Sequence, residues 1–394
     1  MRNRRLAKWI FILIITLFSI EYLGTEEISV YRVGIFPLSV IGLITILGMR
    51  KSNKFAFVSF VLTLYMFFYS LCLLTVDDNI LFPILCIPLL LFLNGFWSLK
   101  EPISVDYSKV FLWFFLPHLI SFLTGTANYA YARFSGLHTD PNFCGLFLSF
   151  SILSAFSLIR RKGEQSIGLF NKIIVVAIAV ISLIFLFLTG SRGAMLSLAL
   201  VVLLELIMGG VKMKYVIAGF LVAGIAGFRL YQYILDLPDW VSPEVSLVDS
   251  VLCRFKPDTL SDGSSRIEIW NGVFRNIEDA GTWLFPIGRL AAMRGLPNTY
   301  THNTYIDFMV DNGVILGAII VIVIVIVFMA GKVLLYHHKD DNLYEHEFTL
   351  CCFSVLIQLF FLSAIQQKIL WLCLAFIVYK AYIGNPLNER RHRI

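Results

Sequence analysis

Long apolar runs recur along this chain, separated by short polar turns. A helix that crosses a bilayer needs about 20 mostly apolar residues, with a range near 17–25. By that measure the pattern predicts helices at about 9–24, 31–48, 55–75, 80–97, 107–124, 141–159, 171–189, 194–211, 213–230, 313–335, 349–364 and 368–384. These make an all-α fold, a polytopic membrane bundle of about 12 spans forming one integral domain over 1–394. One connection is long: residues 231–312, between the ninth and tenth spans. Pro238, Pro243, Pro257, Pro286 and Pro297 make its first part irregular. Further on, Ser265 and Glu268 give a capping-box signal. Ile267, Trp270, Phe274 and Ile277 then follow at helical spacing, predicting an amphipathic helix that lays this face on the bundle or the bilayer surface.

Composition agrees with the pattern. Hydrophobic types make up 58% of the 394 residues and charged residues only 15%, against about 25% charged in a typical soluble domain. A soluble two-domain enzyme and a disordered chain are both excluded. Six of the seven cysteines lie in or beside apolar runs, and no CxxC pair exists. Neither a disulfide framework nor a zinc site is indicated. Arg2, Arg4, Arg5 and Lys8 precede the first apolar run without a small-x-small cleavage site after it, which predicts a retained first helix. With a cytoplasmic N-terminus, basic residues collect on the inner side, as at Arg50, Lys51, Arg160, Arg161, Lys212 and Arg390. The positive-inside rule then places both termini in the cytoplasm and the 231–312 loop outside, which requires an even number of spans. The net charge of +6 is thus a signature of topology and does not indicate a nucleic-acid partner.

Four outward-facing sites break the apolar rule. The first is Arg133 to Asn142, containing His138 and Asp140. The second is Gly190-Ser191-Arg192-Gly193, between the seventh and eighth spans. The third is Ser264-Ser265-Arg266, and the fourth runs from Thr301 through His302, Asn303, Tyr305 and Asp307 to Asp311 and Gly313. Arg192 is the only charge between Phe187 and Leu198. A half-buried Arg at a membrane edge is costly unless it meets an anion. Its fork matches phosphate oxygens, and flanking glycines admit a close ligand. Snorkelling, or a pair with Asp140 or Asp307, would also account for it. Arg133 reads equally as a solvated loop residue. Arg266 lies in a first helical turn, which disfavours a cation by a few tenths of a kcal/mol. His302 has the chemistry of a general base, or of a helix-start residue bonded to backbone. Asp307 and Asp311 share one helix face and can orient a His, hold a sugar hydroxyl or face water. Asp140 before Pro141 is a helix cap with Pro at the first position, with His138 and Asn142 as neighbours. The run His337–Glu347 reads as a solvated loop, not a metal site. Together the cations and the imidazole fit a substrate with a diphosphate headgroup and a hydrocarbon tail, with arginines offsetting charge on the leaving diphosphate.

Arg-Phe-Ser-Gly with Asp-Pro-Asn (133–142), Ser-Arg-Gly (191–193), Ser-Ser-Arg (264–266) and His-Asn-Thr-Tyr with Asn-Gly-Val-Ile-Leu-Gly (302–317) resemble the bacterial O-antigen ligase and O-antigen polymerase superfamily. The resemblance covers about 130–320 and includes the large outer loop before the His motif. It implies a multi-pass protein of the bacterial inner membrane with its active site on the outer face. The implied reaction is inverting glycosyl transfer from undecaprenyl diphosphate without metal or other cofactor. The implied partners are lipid-linked glycan donor and acceptor, membrane lipid, a flippase and a chain-length regulator. Arg192 and Arg266 resemble the diphosphate-contacting arginines and His302 the proposed base. Arg133 resembles an arginine near the donor path, and His138, Asp140, Asn142, Ser191, Asn303, Tyr305 and Asp307 are the expected substrate-binding neighbours. The glycine-bounded ending is one residue longer here than in the family pattern, at Gly313 to Gly317. The expected activity is polymerisation of O-antigen, capsule or exopolysaccharide repeat units. Competing activities are ligation to lipid A–core, protein O-oligosaccharyl transfer and transport of a lipid-linked oligosaccharide. Transport calls for charges at the midplane, whereas the charges in the predicted spans, Glu205 apart, lie toward the span ends.

Overall fold

A computed structural model describes residues 2–20, 30–52, 55–74, 81–100, 103–130, 132–161, 166–208, 251, 264–281, 283–296, 301–337, 343–363 and 367–382. The predicted ninth span, much of the 231–312 loop and residues 338–342 lie outside them. The chain divides into two compact units, Met1–Val110 with Ser264–Ile394, and Phe111–Gly263.

The first unit opens with α1 (Arg2–Phe18). A π-helical turn, Tyr31–Ile35, leads into α2 (Phe36–Leu47). Pro37 sits in the first turn of α2, where its missing N–H removes no helical bond. Then come α3 (Phe55–Leu74), α4 (Leu81–Trp97) and, at the edge of the unit, α5 (Tyr107–Phe111). Aromatic rings fill the space between them. Phe11 stacks on Phe96 at 4.1 Å, and Trp97 donates its Nε1–H to Tyr107 Oη at 2.8 Å. The later part of this unit holds α10 (Ser264–Asp279), α11 (Gly288–Ala292), α12 (Thr304–Asn312), α13 (Val314–His337), α14 (Leu343–Gln358) and α15 (Lys368–Tyr382). Tyr107 packs on Phe348 of α14 at 4.7 Å.

The second unit continues from α5 through a 3₁₀ turn (Leu112–Phe115) into α6 (Leu116–Leu123). The expected span at 107–124 is therefore helical but tightened in its middle, next to Pro117. An antiparallel hairpin follows, β1 (Asn128–Ala130) with β2 (Arg133–Gly136). The described chain is thus largely helical, as expected, with one small hairpin that the pattern did not predict. The unit is completed by α7 (Pro141–Arg160), α8 (Leu169–Leu188) and α9 (Arg192–Met208). Most of α7 is buried. Small residues let its neighbours approach closely: a Cβ on Gly145 would lie 2.9 Å from Ala194 Cβ and 3.2 Å from Ser191 Cβ.

Among the described residues, α7 and α8 are long and apolar enough to cross a membrane, and shorter apolar helices accompany them. Large apolar side chains stand exposed on α3 (Phe57, Phe60, Phe67) and α8 (Phe170, Ile173, Ile184). A water-soluble surface rarely carries contiguous patches of this kind, so the fold has membrane character.

Two polar expectations change. Glu205 is not a lone charge in a span: Arg160 Nη1 lies 3.3 Å from its Oε1. Glu347 is not in a solvated loop, because it is buried and accepts a 2.6 Å hydrogen bond from Ser108 Oγ.

Candidate functional site

In the second unit the candidate residues surround the corner between α8 and α9. Gly190 takes a left-handed backbone, φ 56°, and turns the chain so that Arg192 begins α9. Ser191 ties this corner to α7. Its Oγ donates to Asn142 Oδ1 at 2.9 Å and accepts from the Ala194 N–H at 3.4 Å. Asp140 caps α7 as expected, accepting from the Asn142 N–H at 2.8 Å with Pro141 behind it. Arg192 itself is half-buried in the first turn of α9.

Arg133 is not a solvated loop residue. It is 5% exposed on β2, and its Nη1 donates to Thr189 O at 3.4 Å. Thr189 is the C-cap of α8, where the helix dipole favours a cation. His138 is buried too. Its ring stacks on Phe147 at 5.0 Å and lies 5.1 Å from His118. Burial, and then the nearby His118, hold its pKa well below the usual histidine value, so it is neutral near pH 7.

In the first unit, α10 packs on α11 and α12 through Ile269, Val273, Ile277, Ala292, Met293, Ile306 and Val310, with Trp270 and Phe274 partly buried against them. The buried stripe is thus Ile269–Val273–Ile277. Ile267, expected on that face, is exposed, because the 4-residue ridge from Ile269 outweighs the spacing read from Ile267. The helix also begins at Ser264, one residue before the expected cap. Arg266 is in its first turn, with Cζ 5.7 Å from the Phe361 ring centroid.

His302 precedes α12 with φ 53°. A non-glycine residue in that region costs about 1 kcal/mol or more, and such positions persist where the surroundings over-determine them. His302 is half-exposed, while its neighbours Thr301 and Asn303 are buried. Asn303 is the N-cap of α12 and accepts from the N–H groups of Tyr305 (3.0 Å) and Ile306 (3.3 Å). Tyr305 donates its hydroxyl to Leu356 O at 2.8 Å, and burial pushes its pKa up. Asp307 and Asp311 do not face water. Asp307 Oδ1 accepts from Thr301 Oγ1 at 2.7 Å, and Asp311 Oδ2 accepts from Tyr69 Oη of α3 at 3.0 Å. At Gly313, φ 86°, the chain turns into α13; a Cβ there would strike Leu284 O.

The structure therefore joins Asn142, Ser191 and Asp140 in one network and places Arg133 against the same corner. It separately joins Asn303 and Asp307 through Thr301. Sequence reasoning passed over Thr189, Tyr69 and His118, and it named Thr301 and Trp270 without giving either a role in the site. Thr189, Tyr69 and His118 are singly polar residues in largely apolar surroundings, revealed by partners distant in sequence: Arg133, Asp311 and His138. Among the described residues no group of three or more His, Cys, Asp or Glu is placed to hold a metal ion.

No curated protein matches the chain. A family model described as O-antigen ligase matches residues 177–322. That segment contains Ser191, Arg192, Arg266, His302, Asn303, Tyr305 and Asp307, and leaves Arg133, His138, Asp140 and Asn142 before it. Residues 177–322 thus carry an O-antigen ligase family domain, and with it glycan-handling chemistry of that family's type.

Proposed function

We propose that the protein polymerises undecaprenyl-diphosphate-linked repeat units on the outer face of the bacterial inner membrane, with both termini in the cytoplasm. The observation that supports this most directly is where the three candidate residues stand. Within the matched segment, Arg192, Arg266 and His302 each lie at or just before the N-terminal end of a helix: α9, α10 and α12. Helix N-termini favour anions, and arginines there add charge that the helix itself does not want unless an anion is bound. A diphosphate is such an anion.

In the proposed reaction, His302 takes the proton of an acceptor sugar hydroxyl. That oxygen forms a bond to the anomeric carbon of the donor glycan as the bond to the diphosphate oxygen breaks. Arg192 and Arg266 meet the negative charge on the leaving undecaprenyl diphosphate. One displacement inverts the anomeric centre. Arg133 stabilises the corner that carries Arg192. His138, Asp140, Asn142, Ser191, Asn303, Tyr305 and Asp307 shape the surroundings of the glycan and its diphosphate.

Transfer to lipid A–core by a ligase is the second reading, favoured by the description of the matching family. A strain lacking the protein separates the two. Single-repeat glycan still attached at the surface identifies a polymerase, whereas accumulated full-length lipid-linked polymer identifies a ligase. Replacing the chromosomal copy with His302→Ala tests the chemistry. The protein is expected in the membrane at normal level with no glycan lengthening; normal chain length would reject His302 as the base.

A further inference from the structure

The backbone around His302 is braced by more than a helix cap. The outer residues of Thr301-His302-Asn303 bond each other across the middle one: the Asn303 N–H donates to Thr301 Oγ1 at 3.1 Å. That hydroxyl lies 2.7 Å from Asp307 Oδ1 and 2.9 Å from Asn303 O. It has a single proton to give, and the carboxyl oxygen offers the shorter contact. On the other side, Trp270 of α10 donates its Nε1–H to Thr301 O at 2.9 Å. Beyond the turn, the Thr304 N–H runs to Leu359 O at 2.9 Å. Asn303 Oδ1 takes the next two N–H groups of α12, those of Tyr305 and Ile306. The Thr301 bonds are not needed for that task. They act one residue earlier, on the left-handed backbone of His302.

We propose that Thr301, held between the Trp270 indole and the Asp307 carboxyl, is a positioning residue that fixes the His302 imidazole for glycosyl transfer. This rests on the assignment of His302 as base. Asp307 then acts through Thr301. It is 1% exposed, and its Oδ1 accepts from Thr301 at the turn. A base must stand within hydrogen-bond reach of the proton it removes, and a turn that relaxed to a right-handed backbone would swing the imidazole away.

The test uses the full-length protein in lipid nanodiscs with a lipid-linked repeat unit as substrate, comparing Thr301→Val, Thr301→Ser, Trp270→Phe and His302→Ala. Thr301→Val keeps the shape and removes the hydroxyl. It is expected to lower kcat about 10–100-fold, as misplacement of a catalytic group does, with KM little changed. Thr301→Ser restores the hydroxyl and is expected to regain most of the wild-type kcat. Trp270→Phe removes only the N–H donor and is expected to lower kcat with the same KM, which keeps the proposal open to test if Thr301→Val does not fold. Wild-type kcat in folded Thr301→Val, or a Thr301→Ser no better than Thr301→Val, overturns the proposal. So does wild-type kcat in Trp270→Phe when Thr301→Val cannot be folded. If His302→Ala is inactive in those cases, the base assignment survives and only the positioning role falls. If His302→Ala is fully active, both fall.

Discussion

Tyr69 and Asp311 offer a measurement of what holds the His302 helix in place. Tyr69 is 1% exposed and Asp311 2%, so water cannot replace a bond lost between them. Tyr69→Phe keeps the ring, including its stacking on Tyr65 at 6.1 Å, and deletes only the donor to Asp311 Oδ2. Hydrogen bonds to charged groups contribute about 1.5–3 kcal/mol in soluble proteins. Within membranes, cycles average about 0.6 and reach about 1.7 kcal/mol. A buried bond to a carboxyl belongs at the upper end of the second range and the lower end of the first, so about 1.5 kcal/mol is expected. At roughly 2–4 °C per kcal/mol, the unfolding midpoint in detergent should fall by about 3–6 °C. The control is the same substitution made in Asp311→Ala, where the acceptor is gone and the further loss should be near zero. An equal drop in both backgrounds would refute the bond as the cause.

Other consequences follow from the second unit. Arg192→Lys loses the bidentate fork and is expected to slow transfer about 10–100-fold; wild-type kinetics would remove Arg192 from the diphosphate contacts. Gly145→Leu should overpack the α7–α9 contact by about 1–3 kcal/mol, visible as a lower folded yield after detergent extraction, while Gly145→Ala should be milder; a Leu variant as stable as wild type would contradict the close approach of Ala194. The His138 pKa is held below its unfolded value by burial and His118. The unfolded chain therefore takes up a proton near pH 6.5 that the folded chain resists, so the full contribution to stability is present above about pH 6.5 and declines as pH falls below it. His138→Phe should flatten the fall of the thermal midpoint between pH 7.5 and 5; an unchanged slope would refute this.

What the sequence disclosed depended on how local the determining forces are. The Asp140–Pro141 cap and the glycine corner at 190–193 are set by residues within a few positions of each other, and both stand where the pattern puts them. Helix existence was similarly legible, since apolar length alone determines it. The hairpin at 128–136 was hidden because it is short and rests on Gly136 lying against His118, where a Cβ would strike Nδ1. Arg133 looked like an ordinary loop cation because its partner, the Thr189 carbonyl, is 56 residues away. The same holds for Asp311 with Tyr69, at a separation of 242, and for Glu347 with Ser108, at 239. The face of α10 was misread from Ile267 because periodicity fixes spacing and leaves the phase to the packing partner.

The braces of the His302 turn come from widely separated moments of synthesis. Tyr69 leaves the ribosome early, Trp270 much later, and the Leu356, Leu359 and Leu362 carbonyls that receive Tyr305 and Thr304 later still. A short helix bearing two carboxyls is a poor guest for hydrocarbon by itself. It settles only when α14 has been translated and has docked. A nascent chain halted before Leu356 would accordingly lack the carbonyls that hold Tyr305 and Thr304, so the His302 turn is completed only after α14 has emerged.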